Sequence, residues 1–186
     1  WDHVMGVNLW GVIHGCHFFM PYLAKAPRAH IVNMSSMFGN VGMAGQTVYC
    51  TTKYGVKGLS ECLWEELRTT TIGLTVAHPG SVRTDIMRRS GGDDPELMEY
   101  LASWYDDHAY PPKRAAQKIV AAIERDKRRV LITPDSALID VVKRMIPVWG
   151  NRLVGDIILW VLKLGHMREV RRLQWEETMV EGDGSE

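Results

Sequence analysis

The chain has 186 residues, 46% apolar and 24% charged, a balance that fits one globular unit with a sizeable core. Twenty-two basic and 22 acidic side chains cancel to a formal net charge of zero, so charge offers no case for nucleic acid as a partner. Cys16, Cys50 and Cys62 are odd in number and form no C-x-x-C pair; with no signal peptide visible, this reads as a reduced, cytoplasmic compartment rather than a disulfide framework.

Residues 2–24 read as a helix. Val12, Cys16, Phe19 and Leu23 recur at helical spacing as one apolar stripe. Asn8, Gly11 and Gly15 fall on another face, where the glycines would let a neighbouring backbone approach. His14 and His17 have no spaced partners for a metal, so no metal site is expected. Ala29 to Met34 is short, apolar and expected as a central parallel strand. It leads into Ser35 and Ser36 and a loop punctuated by Gly39, Gly42 and Gly45. Thr47 to Thr70 has the pattern of a long helix with Leu59, Leu63 and Leu67 as its core stripe. Gly73 is expected in the turn before a strand from Leu74 to His78. This alternation implies βαβ units, a parallel sheet and an α/β fold. Ligands of such sheets lie at the carboxyl ends of the strands, and Ser36 and Pro79–Gly80 both follow strand ends.

Residues 84–110 combine Arg88, Arg89, Gly91–Gly92 and Asp93–Asp94 with an aromatic, apolar run of Met98, Leu101, Trp104 and Tyr105. The glycine pair beside that run suggests a hinged lid; a solvated loop and a packing helix is the plainer reading. Asp93–Asp94 and Asp106–Asp107 read as solvated or capping residues. Pro111 to Asp126 reads as a helix with Ala115, Ile119, Ala122 and Ile123 along one side. Arg129 to Thr133 reads as a final strand ended by Pro134.

From 136 to 166 the apolar residues are interrupted by Asp140, Lys143, Arg144, Pro147, Arg152, Asp156 and Lys163. No stretch reaches the ~20 residues that a spanning helix needs. Leu153, Ile157, Val161 and Leu164 share a face, and Lys163, Arg168, Arg171 and Arg172 add positive charge nearby. Two readings stand: peripheral membrane contact through 136–172, or an extension that packs over a substrate pocket or forms a subunit contact. The tail from Glu181 to Glu186 is polar.

The chemistry concentrates between Ile31 and Lys53. Tyr49 and Lys53 lie four apart at the start of a helix, hence on one face, and the preceding loop can bring a serine hydroxyl to both. A free phenol has a pKa near ~10 and is a poor base at neutral pH. A cation 4 Å away would stabilise the phenolate by roughly 4 kcal/mol at an effective dielectric of 20, which is about three pKa units. The cluster suits proton transfer to or from an oxygen. It does not suit acyl transfer, because no histidine is placed to activate the serine.

The arrangement S-S-x-x-G, then Tyr thirteen residues after the second serine, then Lys four further on, resembles the short-chain dehydrogenase/reductase family. V-N-L-W-G-V (Val7 to Val12) and H-P-G-S-V-R-T-D (His78 to Asp85) are similar to two further motifs of that family. The resemblance implies hydride transfer between NAD or NADP and a carbonyl or secondary alcohol, and it picks Ser36 over Ser35. In it Tyr49 exchanges the proton, Lys53 lowers the Tyr49 pKa and bonds the nicotinamide ribose, Ser36 holds the substrate oxygen, and Asn8 links Lys53 to water. Pro79, Gly80, Val82 and Thr84 approach the cofactor. A small-molecule substrate, lipophilic by the hint of residues 98–110, and a homodimer or homotetramer through residues 2–24 and 47–70 are implied as well.

The family carries a Gly-rich pyrophosphate turn ahead of this region. No G-x-x-x-G-x-G occurs in these 186 residues. The expectation is therefore the C-terminal portion of a Rossmann-type doubly wound parallel sheet over 1–134, with a helical extension over 135–186. A non-catalytic fragment acting as an interaction or dimerisation module is the alternative.

Overall fold

The computed structural model describes residues 1–90 and 95–162. Gly91–Gly92, Asp93–Asp94, Leu164, the cations Lys163, Arg168, Arg171 and Arg172, and the tail lie outside the described residues. The framework is a parallel sheet with helices packed against it. β1 (Ala29–Met34) pairs with β2 (Ile72–His78) from Ala29 opposite Ile72 to Met34 opposite Ala77. β2 pairs in turn with β3 (Arg129–Leu131), from Val76 opposite Arg129 to His78 opposite Leu131.

The strand order β1-β2-β3 corrects one expectation. Among the described residues β2 is central and β1 is an edge. Burial says why: Ile72 and every residue from Leu74 to His78 are buried, whereas β1 buries only Asn33. A strand covered on both faces carries such a continuous buried run. Gly73 also differs from its expected place. It lies inside β2 opposite His30, and a Cβ there would collide with His30 Nδ1 and the Asp126 carboxylate. Close packing, not a turn, requires that glycine; the chain turns earlier, over residues 67–71.

α1 (Asp2–Met5), a π-helical turn (Gly6–Trp10) and α2 (Gly11–Leu23) run on with helical backbone angles throughout. α3 (Thr47–Glu66) follows the serine loop. The expected leucine stripe on α3 is only half-buried; Thr52, Val56 and Ser60 are the fully buried side chains. Small residues let the helix lie close to the sheet, and Asn33 Nδ2 donates to Ser60 Oγ at 3.0 Å. Leu9 of the π turn packs over Gly55, where a Cβ would strike it. On α2, Cys16 is buried as expected, but Phe19 is exposed and Gly15 has open space around it. His14 and His17 are exposed as well, and no metal-binding cluster occurs among the described residues.

α4 (Ile86–Arg89), α5 (Pro95–His108) and α6 (Pro112–Glu124) follow β2. Ala115 of α6 shares a core with Ala77 and Ile132, flanked by Val32, Ile119 and Val130. Pro134 opens α7 (Pro134–Met145) as its first residue, with Thr133 as cap in a reciprocal capping box with Ser136. Asp140 is buried, yet it does not interrupt α7: Arg129 grips it with bonds of 2.9 and 2.5 Å, and Arg144 Nε adds a third at 2.9 Å. α8 (Trp149–Val161) completes the described fold. Ile139 of α7 and Val154 of α8 form a second core with Met37 and Val41 from the serine loop. Among the described residues no helix is long and apolar enough to cross a membrane.

Candidate active site

Parallel pairing in register brings the ends of β1 and β2 to one rim. The ladder continues past both strands: Ser35 N–H donates to Ala77 C=O at 2.9 Å and Met37 N–H to Pro79 C=O at 2.8 Å. Ser36, between them, has extended backbone angles and caps a short 3-10 turn (Met37–Gly39), its Oγ accepting from Phe38 N–H at 3.1 Å. His78 is fully buried beneath it, with Nδ1 3.0 Å from the Ser36 carbonyl oxygen. Burial favours the neutral imidazole and lowers the His78 pKa to about 4, against the opposing pull of the bond to the Ser36 carbonyl.

Ser35 has a different task from Ser36. Its Oγ donates to the Lys53 carbonyl at 2.8 Å and ties the loop to α3. Gly39 makes that closeness possible: a Cβ there would collide with Ser35 Oγ and come within 2.8 Å of the Lys53 carbonyl oxygen.

Tyr49 and Lys53 share a face of α3, as four-residue spacing requires. The Lys53 ammonium donates to the Met34 carbonyl at 3.0 Å and lies 5.5 Å from the centre of the Tyr49 ring. Phe38 meets the same ring edge-on at 6.4 Å. The Ser36 side chain lies close enough to Tyr49 to pull its pKa down. Serine, tyrosine and lysine are thus brought together.

The electrostatics differ from expectation. Burial pushes the Tyr49 phenol above its ordinary value and outweighs the pull of Ser36, while nearby Tyr105 and Cys50 raise it further. Burial also lowers Lys53. The anticipated depression by the lysine is absent because the ammonium is turned to a carbonyl and the ring face rather than to the hydroxyl. In this arrangement Tyr49 keeps its proton at neutral pH, which is the form that donates.

Asn8 lies half-buried in the π turn, which packs on α3, but it makes no hydrogen bond to Ser36, Tyr49 or Lys53. The loop after β2 is fixed by residues that sequence reasoning passed over. Gly80 N–H donates to Thr133 Oγ1 and Ser81 N–H to Asp135 Oδ2, both at 2.9 Å. A Cβ at Gly80 would strike both acceptors. The signal was in T-P-D at 133–135, a cap followed by a first-turn proline. Tyr110 then bridges Val82, its N–H donating to Ser81 C=O at 2.9 Å and its C=O accepting from Arg83 N–H at 3.0 Å. Alternate backbone groups of an extended chain point to opposite sides, so Val82's own N–H and C=O face away from that bridge. Among the described residues they bond to nothing. Thr84 is exposed, two residues ahead of α4. Tyr105, on α5, lies by Ser81 and reaches close enough to Tyr49 to raise its pKa. A separate cavity of about 270 Å³, lined by His30, Trp64, Arg68, Asp126 and Arg128, sits at the opposite end of the sheet.

The family profile for short chain dehydrogenase matches residues 1–94. SadH of Mycobacterium tuberculosis, named as an oxidoreductase, is 30% identical over 158 residues, spanning 83% of this chain and 57% of that protein. The mitochondrial D-beta-hydroxybutyrate dehydrogenase of Rattus norvegicus is 36% identical over 81 residues, 44% of this chain and 23% of that protein. A short chain dehydrogenase/reductase from Burkholderia phymatum, solved in complex with NAD, superposes with a TM-score of 0.67 at 24% identity, over 78% of this chain and 57% of that one. The chain thus spans little more than half the length of SadH and of the Burkholderia protein. With a profile over residues 1–94 and a three-stranded parallel sheet that superposes on members of that family, the chain belongs to the short chain dehydrogenases.

Proposed function

We propose that this chain supplies the nicotinamide and substrate end of an NAD(P)-dependent oxidoreductase acting on a carbonyl or secondary alcohol. The observation that carries the reading is the convergence of Ser36, Tyr49 and Lys53 on one rim of the sheet. The relatives named as oxidoreductases and neighbours solved with NAD or NADP support it.

The residues fit the nicotinamide end of the cofactor. A primary amide needs a donor and an acceptor side by side, and Val82 offers an unspent N–H and C=O. Lys53 uses one proton on Met34 and keeps two donors for ribose hydroxyls. Pro79 and Gly80 hold that turn in place, and Thr84 follows it. Bound there, the cofactor supplies or accepts the hydride. Tyr49, protonated, donates to the oxygen of a carbonyl as negative charge develops on it; in reverse it takes the alcohol proton. Ser36 holds the same oxygen through its hydroxyl. The half-buried Lys53 ammonium, 5.5 Å from the ring centre, turns toward the phenolate once that charge has formed. Asn8, in the π turn beside α3, joins this relay through water. The aromatic helix α5 covers the substrate, with Tyr105 at its inner end. The homodimer or homotetramer contact is assigned to residues 2–24 and 47–70, where Trp10, Phe18, Tyr22 and Tyr54 are exposed. The rival reading as a non-catalytic module draws less support, since it gives the converging trio no task.

Tyr49→Phe in the full-length protein tests the proposal. Turnover is expected to fall about a thousandfold, the scale of a lost general acid, while NADH or NADPH fluorescence titration stays within a few fold. Near-normal kcat would overturn the role of Tyr49.

A further inference from the structure

We infer that Asp135 is a positioning residue for the cofactor: its carboxylate, on the first turn of α7, locks the turn after β2 in the shape that presents Val82 to the nicotinamide. The inference rests on the oxidoreductase reading and adds to it a residue that acts through the backbone of another segment. A carboxylate has two oxygens, both acceptors, and Asp135 spends one on each of two segments. Oδ1 accepts from Ser136 N–H at 2.9 Å, within the start of α7, where the helix dipole also favours a negative charge. Oδ2 accepts from Ser81 N–H at 2.9 Å, across 54 residues of sequence. Thr133 works in parallel. Its Oγ1 accepts from Ser136 N–H at 3.4 Å as the cap of α7 and from Gly80 N–H at 2.9 Å. Two successive N–H groups of the turn are thus spent on one helix start.

The fit leaves no slack. Gly80 lies so close that a Cβ on it would collide with both Asp135 oxygens and with Thr133 Oγ1. On the other side Tyr110 holds Ser81 C=O and Arg83 N–H. Planar peptides carry that constraint to the residue between them. With Ser81 C=O turned to Tyr110, Val82 N–H points the opposite way, and with Arg83 N–H turned to Tyr110, Val82 C=O does too. Held by Tyr110 alone, the Val82 pair could swing with the turn as a whole; the bond from Ser81 to Asp135 supplies the second fixed side. Only a carboxylate suits this place. An asparagine has a single acceptor oxygen and two amide protons, so whichever N–H it accepts, its own NH2 meets the other donor head-on.

Calorimetric titration of the full-length protein with NADH and NADPH, and with ADP-ribose or its 2′-phosphate, which lack the nicotinamide, tests the inference. In Asp135→Asn the Kd for the nucleotide that binds wild type should rise about tenfold, the scale of one lost hydrogen bond to a charged group. Binding of the matching ligand without nicotinamide should stay at its wild-type value. Hydrogen exchange of the free protein should show the Ser81 amide exchanging faster in the variant. Asp135→Ala removes the acceptor without opposing Ser81 N–H and should give the same pattern, which keeps the test decisive where the asparagine distorts the helix start. An unchanged Kd for the whole nucleotide in both variants overturns the inference. So does an equal loss for the two kinds of ligand, because Asp135 then serves the stability of the fold and not the nicotinamide turn. A wild type that binds neither NADH nor NADPH removes the oxidoreductase reading and this inference together, whereas wild-type binding that both variants retain removes the inference alone.

Discussion

At the scale of single residues, the site is set by groups that bind one another before any substrate arrives. Ser36 is held by its cap bond to Phe38 and by His78 below. His78 makes a pH prediction. Its folded pKa of about 4 lies below the ordinary value of 6.5. Above pH 6.5 neither state binds the proton, so stability is flat. Between 6.5 and 4 the unfolded chain takes up a proton that the folded chain refuses, and stability falls with pH, by up to about 3 kcal/mol across the window. Urea denaturation at steps from pH 7 to 4.5 should show this slope, and His78→Asn should flatten it. An equal slope in the variant would assign the effect to other groups.

At the scale of elements, β3 and α7 are joined by one buried carboxylate. Arg129 holds the Asp140 carboxyl below its ordinary range, with Arg144 assisting, so this contribution is present above about pH 4 and is lost as pH falls through the depressed value. Asp140→Ala should cost about 3 kcal/mol by leaving the Arg129 guanidinium uncompensated. Adding Arg129→Met should recover part of that loss in chemical denaturation; no recovery would mean that Asp140 acts through packing instead. Such elements also show what the sequence could and could not convey. Periodicity placed α3 to the residue at its start, four-residue spacing put Tyr49 and Lys53 on one face, and the family resemblance picked Ser36 as the serine that joins them. Strand order was not legible, because edge and centre differ by burial on both faces, which a six-residue run such as Ala29–Met34 does not display. Nor was the Tyr49 pKa, which depends on where the Lys53 ammonium points. Asp140 looked like an interruption because its partner, Arg129, lies on another element.

At the scale of the whole molecule, the second core couples the carboxy-terminal helices to the serine loop. Met37 opens the 3-10 turn, Val41 follows it, and both pack with Ile139 and Val154. Ile139→Ala should therefore cost about 2–4 kcal/mol in thermal or urea unfolding. If the proposed activity holds, it should also raise KM more than it lowers kcat, because the loop that carries Ser36 loses its backing. An unchanged KM would show that the loop is fixed by its hydrogen bonds to β2 alone.

The π turn at Gly6–Trp10 fits one more residue into its length than ordinary helical winding would. Excising one of its five positions would let the winding relax to the usual period while Trp1 to Met5 keep their face toward α3. A residue taken from α2 has no such surplus to draw on, and its loss would swing everything ahead of it about 100° around the axis. The extra residue is thus a reserve of phase at the start of the chain, and it lies where Asn8 does.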